Sequence, residues 1–351
     1  MDAQDLKVEK EKWGETEDGR DVYLFTLENS QKLQVQIMSL GGVITSIKMP
    51  DRNGTRDEIT LGFDDLASYL KGHPKFGSIM GRVTNRTKNA SFVLDGKKYQ
   101  LEKNAGLHHM HGGSQSFDKR VWQAQSFKDA DQVGVDLLFL SPDGDGGFPG
   151  NVEARVRYTL NNRNELGIKY MATTDAPTHV NMTNHAYFNL SGAKENIYNH
   201  QITIHADYYT DADDTAMPNG QILQVEGTPL DLREPTKIGE RIGKVGSGFD
   251  HNYVINKEPD VLSKAAEVFH PESGRMMKVF TTQPGVQFYS ANWKDRAYIG
   301  KGGAKYGHHY GIALETQHFP ASANYPHFPS TVLRPGEKYE ETVVFEFSVE
   351  D

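Results

Sequence analysis

The chain contains no cysteine, which removes disulfides, thiolate catalysis and Cys-based zinc sites together. It has no run of about 18 consecutive apolar residues, so nothing reads as a bilayer-spanning helix. Basic clusters are also missing. With 38 Lys and Arg against 47 Asp and Glu, a net charge of −9, neither nucleic acid nor an anionic membrane is an expected partner. The opening stretch MDAQDLKVEKEKWGETEDGR is charged throughout and has no apolar core, so it does not read as a secretory signal. A soluble, cytoplasmic protein is the expectation, and the five Asn-x-Ser/Thr sequons, at Asn53, Asn85, Asn89, Asn181 and Asn189, should stay unmodified there. No GxxxxGK[ST] or GxGxxG occurs, so nucleotide binding has no support.

What the chain does have is alternation with a period of two. KLQVQIM sets Leu33, Val35 and Ile37 against polar neighbours, as a half-buried strand does. SFVLDGKKYQL reads as two strands joined at Asp95-Gly96, a two-residue turn that requires positive φ. In EARVRYTLNNRNELGIKYMAT, Val156, Tyr158 and Leu160 precede an Asn-rich turn, then Leu166, Ile168 and Tyr170 repeat the scheme. Val343, Phe345, Phe347 and Val349 share one face of the last strand. Helical signals are short: DDLASYL after Phe63, and PDVLSKAAEVF before His270. Strands with turn signals recurring this often predict an all-β, antiparallel sandwich or barrel. With no Pro/Ser-rich linker and no repeat, we read 1–351 as one domain, with 1–19 a peripheral N-terminal segment.

Polar residues crowd against glycine and aromatics at 81–92, 104–122, 181–190, 248–255 and 311–330. His108, His109 and His111 suggest a metal, but three histidines within four residues cannot all face one way on a strand, and no HExxH is present. SPDGDGG at 141–147 lacks the fifth-position ligand and the closing glutamate of a calcium loop. No metal and no cofactor are expected. Glu315 follows the apolar run GIAL; burial there would lift its pKa towards that of an effective general base, whereas an edge strand would leave it in solvent. Asp250, at the mouth of another strand, could equally cap a turn. His185, in NMTNHAYFNL, can carry a proton at neutral pH, or it can be a core histidine bonded to a backbone carbonyl.

Taken together, GRVTNRT, HGG with FDKRVW, NMTNHAYFNLSG, FDHNYV, PGVQFYSAN, LETQHFPASANYPHFPS and LRPGEKY resemble the aldose 1-epimerase (galactose mutarotase) family, in that family's order, from about residue 20 to the end. Two neighbours of these motifs depart from the family: Thr87, where Ile is usual, and Met110, where Leu is usual. The resemblance implies a large antiparallel β-sandwich, the galactose mutarotase-like supersandwich, with a sugar cleft and no cofactor. It implies Glu315 as general base, His185 as general acid, and Arg86, His111, Asp250 and Gln287 as substrate-binding residues, with Asn85 beside Arg86 at the cleft edge. The implied activity is interconversion of the α and β anomers of free hexoses such as galactose and glucose. The alternatives are a hexose-6-phosphate 1-epimerase, which needs a further basic cluster, a glycosidase pairing Asp250 with Glu315, and a non-catalytic sugar-binding protein. Phe288 and Trp122 are candidate sugar-stacking rings, with core packing the plainer role for each. A monomer is the default, a dimer being possible.

Overall fold

Alternating apolar residues need two packed sheets to bury them, and three large sheets supply this. The computed structural model describes residues 6–350; of the N-terminal segment expected to be peripheral, residues 1–5 lie outside the described part. A nine-stranded sheet runs in the order Gln123–Lys128, Gln132–Ser141, Val152–Asn161, Glu165–Thr174, Tyr339–Val349, Arg275–Thr281, Ser263–His270, Gln201–Ile204, Thr236–Lys237. A five-stranded sheet is built from the first part of the chain, starting with Lys7–Glu15 as its outermost strand. A six-stranded sheet has the order Tyr187–Phe188, Ile312–Gln317, Gly285–Tyr289, Asp250–Val254, Tyr208–Ala212, Pro218–Gln224. The ladders of the nine- and six-stranded sheets are antiparallel throughout.

One apolar cluster joins all three sheets: Val156, Tyr158 and Phe345 from the nine-stranded sheet, Phe25, Val35 and Ile37 from the five-stranded one, and Tyr253, Phe288 and Leu314 from the six-stranded one. The fold is therefore the expected antiparallel β-sandwich with few, short helices. The hairpin turn has the predicted backbone, Asp95 at φ 50 and Gly96 at φ 77.

Two local expectations fail. PDVLSKAAEVF is not helical; Ser263–His270 is an interior strand, hydrogen-bonded to Gln201–Ile204 on one side and Arg275–Thr281 on the other. Lys264, Ala265, Ala266 and Glu267 favour helix locally, but a half-built sheet offers each backbone group a partner and buries Ala266, Val268 and His270, which outweighs propensity. A register shift between Lys264 and Ala266 also blurs the alternation that would have marked a strand. The other failure is Val349, which leaves the buried face of its strand and is 38% exposed where the sheet runs out. DDLASYL does form a helix, Leu66–Leu70, capped by the Asp65 carboxylate on the Ser68 amide.

Candidate active site

Strand periodicity lays the floor of the site. In the six-stranded sheet, Tyr253, Phe288 and Leu314 point into the sandwich core, so Asp250, Gln287 and Glu315 emerge on the opposite face. Register then sets them side by side: Gln287 pairs with Glu315, and Asp250 with Tyr289. The strand carrying Glu315 is buried at all six positions, between two neighbours, so the edge-strand alternative does not hold. Glu315 itself is 2% exposed.

Turns from elsewhere in the chain bring the remaining groups over this floor. His185 is fixed through its backbone, its amide donating to Ser78 and its carbonyl accepting from Gly77. Its ring stacks on Tyr187, with centroids 4.9 Å apart, and its Nε2 lies 3.4 Å from Glu315 Oε1. Asn85 and His111 clamp one another: the His111 amide donates to the Asn85 carbonyl, and the Asn85 amide donates to His111 Nδ1 at 3.1 Å. Both are non-glycine residues with left-handed backbones, φ 58 and φ 53, a conformation that persists only where the surroundings impose it. Asn85 Oδ1 accepts from the Arg86 amide, and the Arg86 guanidinium reaches Asp250 Oδ2 at 3.2 Å. Gln287 donates to the other Asp250 oxygen at 2.7 Å.

These groups enclose a cavity of about 290 Å³ lined by Asn85, Arg86, His111, His185, Asp250 and Glu315. Gln287 is not in the lining; it lies beneath Asp250 and is 3% exposed. Lys75, Asn104, Tyr289 and Trp293 line the cavity without having been foreseen, and Met110 and Tyr187 join them. A signal existed for Tyr289, which shares the Gln287 face of GVQFY. Trp293 and Lys75 carried none, because each arrives on a loop with no period to read. The rings considered for stacking, Phe288 and Trp122, are core residues. The asparagines of NMTNHAYFNL satisfy backbone: Asn184 bonds Gly77 and Ala186, and Asn189 bonds Glu195, Tyr310 and Ser191.

A larger groove of about 670 Å³ on the solvent face of the nine-stranded sheet does not compete, since its Arg157 is spent on Asp136 at 2.6 Å. The three clustered histidines diverge as expected: His109 turns to the Glu102 carbonyl and His108 to the Asn89 amide, while His111 faces the cavity. In SPDGDGG, Asp145 is bound to Arg120 and Ser141, and Asp143 to the Gly150 amide.

Burial dominates the electrostatics of the site. Burial lifts the Glu315 carboxyl to about 8, with the Asp250 carboxylate adding and the Arg86 guanidinium opposing. Burial drops the His185 imidazole to about 3, and pushes His111 well below the usual histidine range, with His185 and Lys75 adding to the effect. Near neutral pH these opposite shifts leave one proton on the His185–Glu315 pair and favour it on the carboxyl. His111, His185 and Glu315 offer ligating atoms within 4.8 Å of one another. Because His111 Nδ1 accepts from the Asn85 amide, its Nε2 carries the proton of the neutral ring and meets the cavity as a donor, which suits a hydroxyl better than a metal ion.

The chain matches the family model described as aldose 1-epimerase over residues 23–346. Among curated proteins it is 43% identical over 333 residues to galactose mutarotase of Homo sapiens, covering 94% of this chain and 95% of that one. It is 35% identical over 340 residues to aldose 1-epimerase of Escherichia coli K12, covering 95% and 97%. Among solved structures, galactose 1-epimerase from Lactobacillus acidophilus NCFM superposes with a TM-score of 0.87 at 28% identity, covering 99% of this chain and 100% of that one. A GalM/aldose epimerase homologue from C. elegans gives 0.84 at 32% identity, covering 92% and 97%. In sequence along nearly its whole length and in the layering of its sheets, the chain belongs to the aldose 1-epimerase family.

Proposed function

We propose that this protein is a mutarotase: it interconverts the α and β anomers of a free aldohexose, such as D-galactose or D-glucose, by general acid–base opening and reclosure of the ring. The observation that carries this reading is the 3.4 Å approach of His185 Nε2 to Glu315 Oε1 inside a buried cavity that also holds Arg86 and Asp250. One carboxyl and one imidazole at that spacing can serve the two adjacent oxygens of a hemiacetal.

Opening moves two protons. The C1 hydroxyl gives its proton to the Glu315 carboxylate, the bond between C1 and the ring oxygen breaks, and that oxygen takes a proton from His185. The aldehyde rotates about C1–C2 and the same transfers run backwards on its other face. Substrate hydroxyls hydrogen-bonding to these buried groups stabilise the tautomer with the proton on His185, the form this step starts from. Asp250, held by Arg86 and Gln287, accepts from hydroxyls distant from C1; Asn85 fixes Arg86, and Gln287 positions Asp250 from below. His111 donates from Nε2. Trp293 and Tyr289 offer flat apolar surface to the sugar ring.

The pairing of charges argues against the alternatives. Both lysine and arginine in the cavity are already matched, Arg86 with Asp250 at 3.2 Å and Lys75 with Asp118 at 2.7 Å, which leaves no free cation for a phosphate dianion. Asp250 is bound by two donors and so is poorly suited to protonate a glycosidic oxygen. A sugar-binding protein without catalysis has no use for the costly burial of both Glu315 and His185. A free hexose as substrate fits a cytoplasmic setting.

Polarimetry of freshly dissolved α-D-galactose or α-D-glucose tests the proposal. The protein should accelerate mutarotation; Glu315→Gln should abolish this and His185→Asn should lower it by about 10²–10⁴. An undiminished rate in the Glu315→Gln protein would overturn the base assignment.

A further inference from the structure

No hydrogen bond aims the His185 ring from behind. Its Nδ1 is buried and has no partner among the described residues, although a catalytic imidazole is ordinarily oriented by a third group on its second nitrogen. Stacking on Tyr187 sets the plane of the ring. Its distance from Glu315 is therefore inherited from the main chain.

One turn grips that main chain. The 75–78 turn is closed by the Ser78 amide on the Lys75 carbonyl at 3.1 Å, and both of its last residues bond His185, the Gly77 amide at 3.0 Å and the Ser78 carbonyl at 2.8 Å. Gly77 has φ 62, and a Cβ there would stand 2.1 Å from the Ile44 carbonyl oxygen, so the turn lies hard against the sheet. Lys75 opens the turn, left-handed at φ 69, a conformation that its surroundings must impose.

Asp118 supplies the hold. Lys75 Nζ lies 2.7 Å from Asp118 Oδ2, and the two side chains are 28% and 4% exposed. Lys75 is the only hydrogen-bond partner of this carboxylate among the described residues. Asp118 sits on the single helical turn Phe117–Lys119, whose first amide donates to the Gly81 carbonyl and whose Phe117 ring meets Trp122 edge to face in the core. A buried ion pair with so few partners contributes little net stability; what it secures is one arrangement over others. We propose that the Lys75–Asp118 pair is the positioning device of the general acid, setting the 75–78 turn and through it the His185 ring against Glu315. This rests on the mutarotase reading, in which His185 gives its proton to the ring oxygen.

The combined variant Lys75→Met with Asp118→Asn is the test, because it removes the pair without changing the net charge of the cavity wall. Polarimetry is run at a temperature where circular dichroism shows each protein fully folded. The combined variant should lose about 10- to 100-fold in kcat with KM within about twofold of wild type, while Lys75→Arg, which keeps the pair, should stay within about threefold. Nuclear magnetic resonance of protein carrying isotope-labelled histidine reads the geometry directly, the His185 ring signal being the one absent from His185→Asn. In the combined variant that signal should move, and the signal of His200, held by the Leu190 amide outside the cavity, should not. Wild-type kcat in the folded combined variant, a rise in KM alone, or an unmoved His185 signal would each overturn the proposal. A wild type that mutarotates no aldohexose would discard the catalytic reading instead, and the His185 signal would still decide whether the pair sets the ring.

Discussion

At the scale of single residues, the proposed mechanism puts the chemistry and its pH limits on the His185–Glu315 pair. The pair holds one proton from about 3, the imidazole value, to about 8, the carboxyl value, and these belong to the pair as a unit. After subtraction of the spontaneous rate, kcat/KM for mutarotation should be flat near neutrality and fall above about pH 8. Stability follows the same carboxyl. Glu315 is raised in the folded state, so between its ordinary value and about 8 the native protein binds the proton that the unfolded chain has lost, and stability declines as pH rises through that window. Glu315→Gln should therefore melt higher than the wild type at pH 8, by about 1–4 °C, and gain less at pH 5. A lower melting temperature at pH 8 would mean the carboxyl is not strained by burial. Gln287 gives a finer test. As a support under Asp250, its replacement by Ala should raise KM about tenfold with a smaller effect on kcat.

At the scale of elements, the sequence was most legible where one period ruled. IALETQ and GVQFY alternate cleanly, and that alternation alone places Glu315 and Gln287 on the face opposite Leu314 and Phe288. The family strings then drew Arg86, His111, His185 and Asp250 into the same cavity, although 229 positions separate Arg86 from Glu315 by subtraction of their numbers. Legibility failed where structure depends on distant partners. Ser263–His270 has helical residues and becomes a strand because its neighbours demand one. Lys75 and Trp293 reach the cavity on irregular segments, the second on a loop pinned by Lys301, whose Nζ lies 3.0 Å from Glu58 Oε2 with both side chains largely buried. Glu58 keeps its hydrogen bonds from Ser46, Ile47 and Thr60 when this partner is removed, so Lys301→Met should cost about 2 kcal/mol in denaturant unfolding. If the loop positions Trp293, the same variant should also raise KM for the hexose.

At the scale of the whole molecule, the unusual quantity is buried imidazole. Burial holds His73, His179, His309 and His318 down at about 4, and His185 and His200 at about 3. Each is depressed when folded, so between about 4 and the ordinary histidine value the unfolded chain binds more protons, and stability falls as pH falls through that range. Thermal melts should drop steeply from pH 7 to pH 5, well before most carboxylates titrate. An unchanged melting temperature over that interval would contradict the burial of these rings. No helix among the described residues is long and apolar enough to cross a membrane. The outermost strand Lys7–Glu15 presents Lys and Glu along an open sheet margin, a pattern that discourages edge-to-edge pairing.

The closeness of one imidazole to one carboxyl has a last consequence. A proton lent during opening is handed back during closure, so each turnover returns the molecule to its starting balance without any trade with the surrounding water. Raising the buffer concentration at fixed pH and ionic strength should speed the uncatalysed reaction and leave the enzymatic increment where it was.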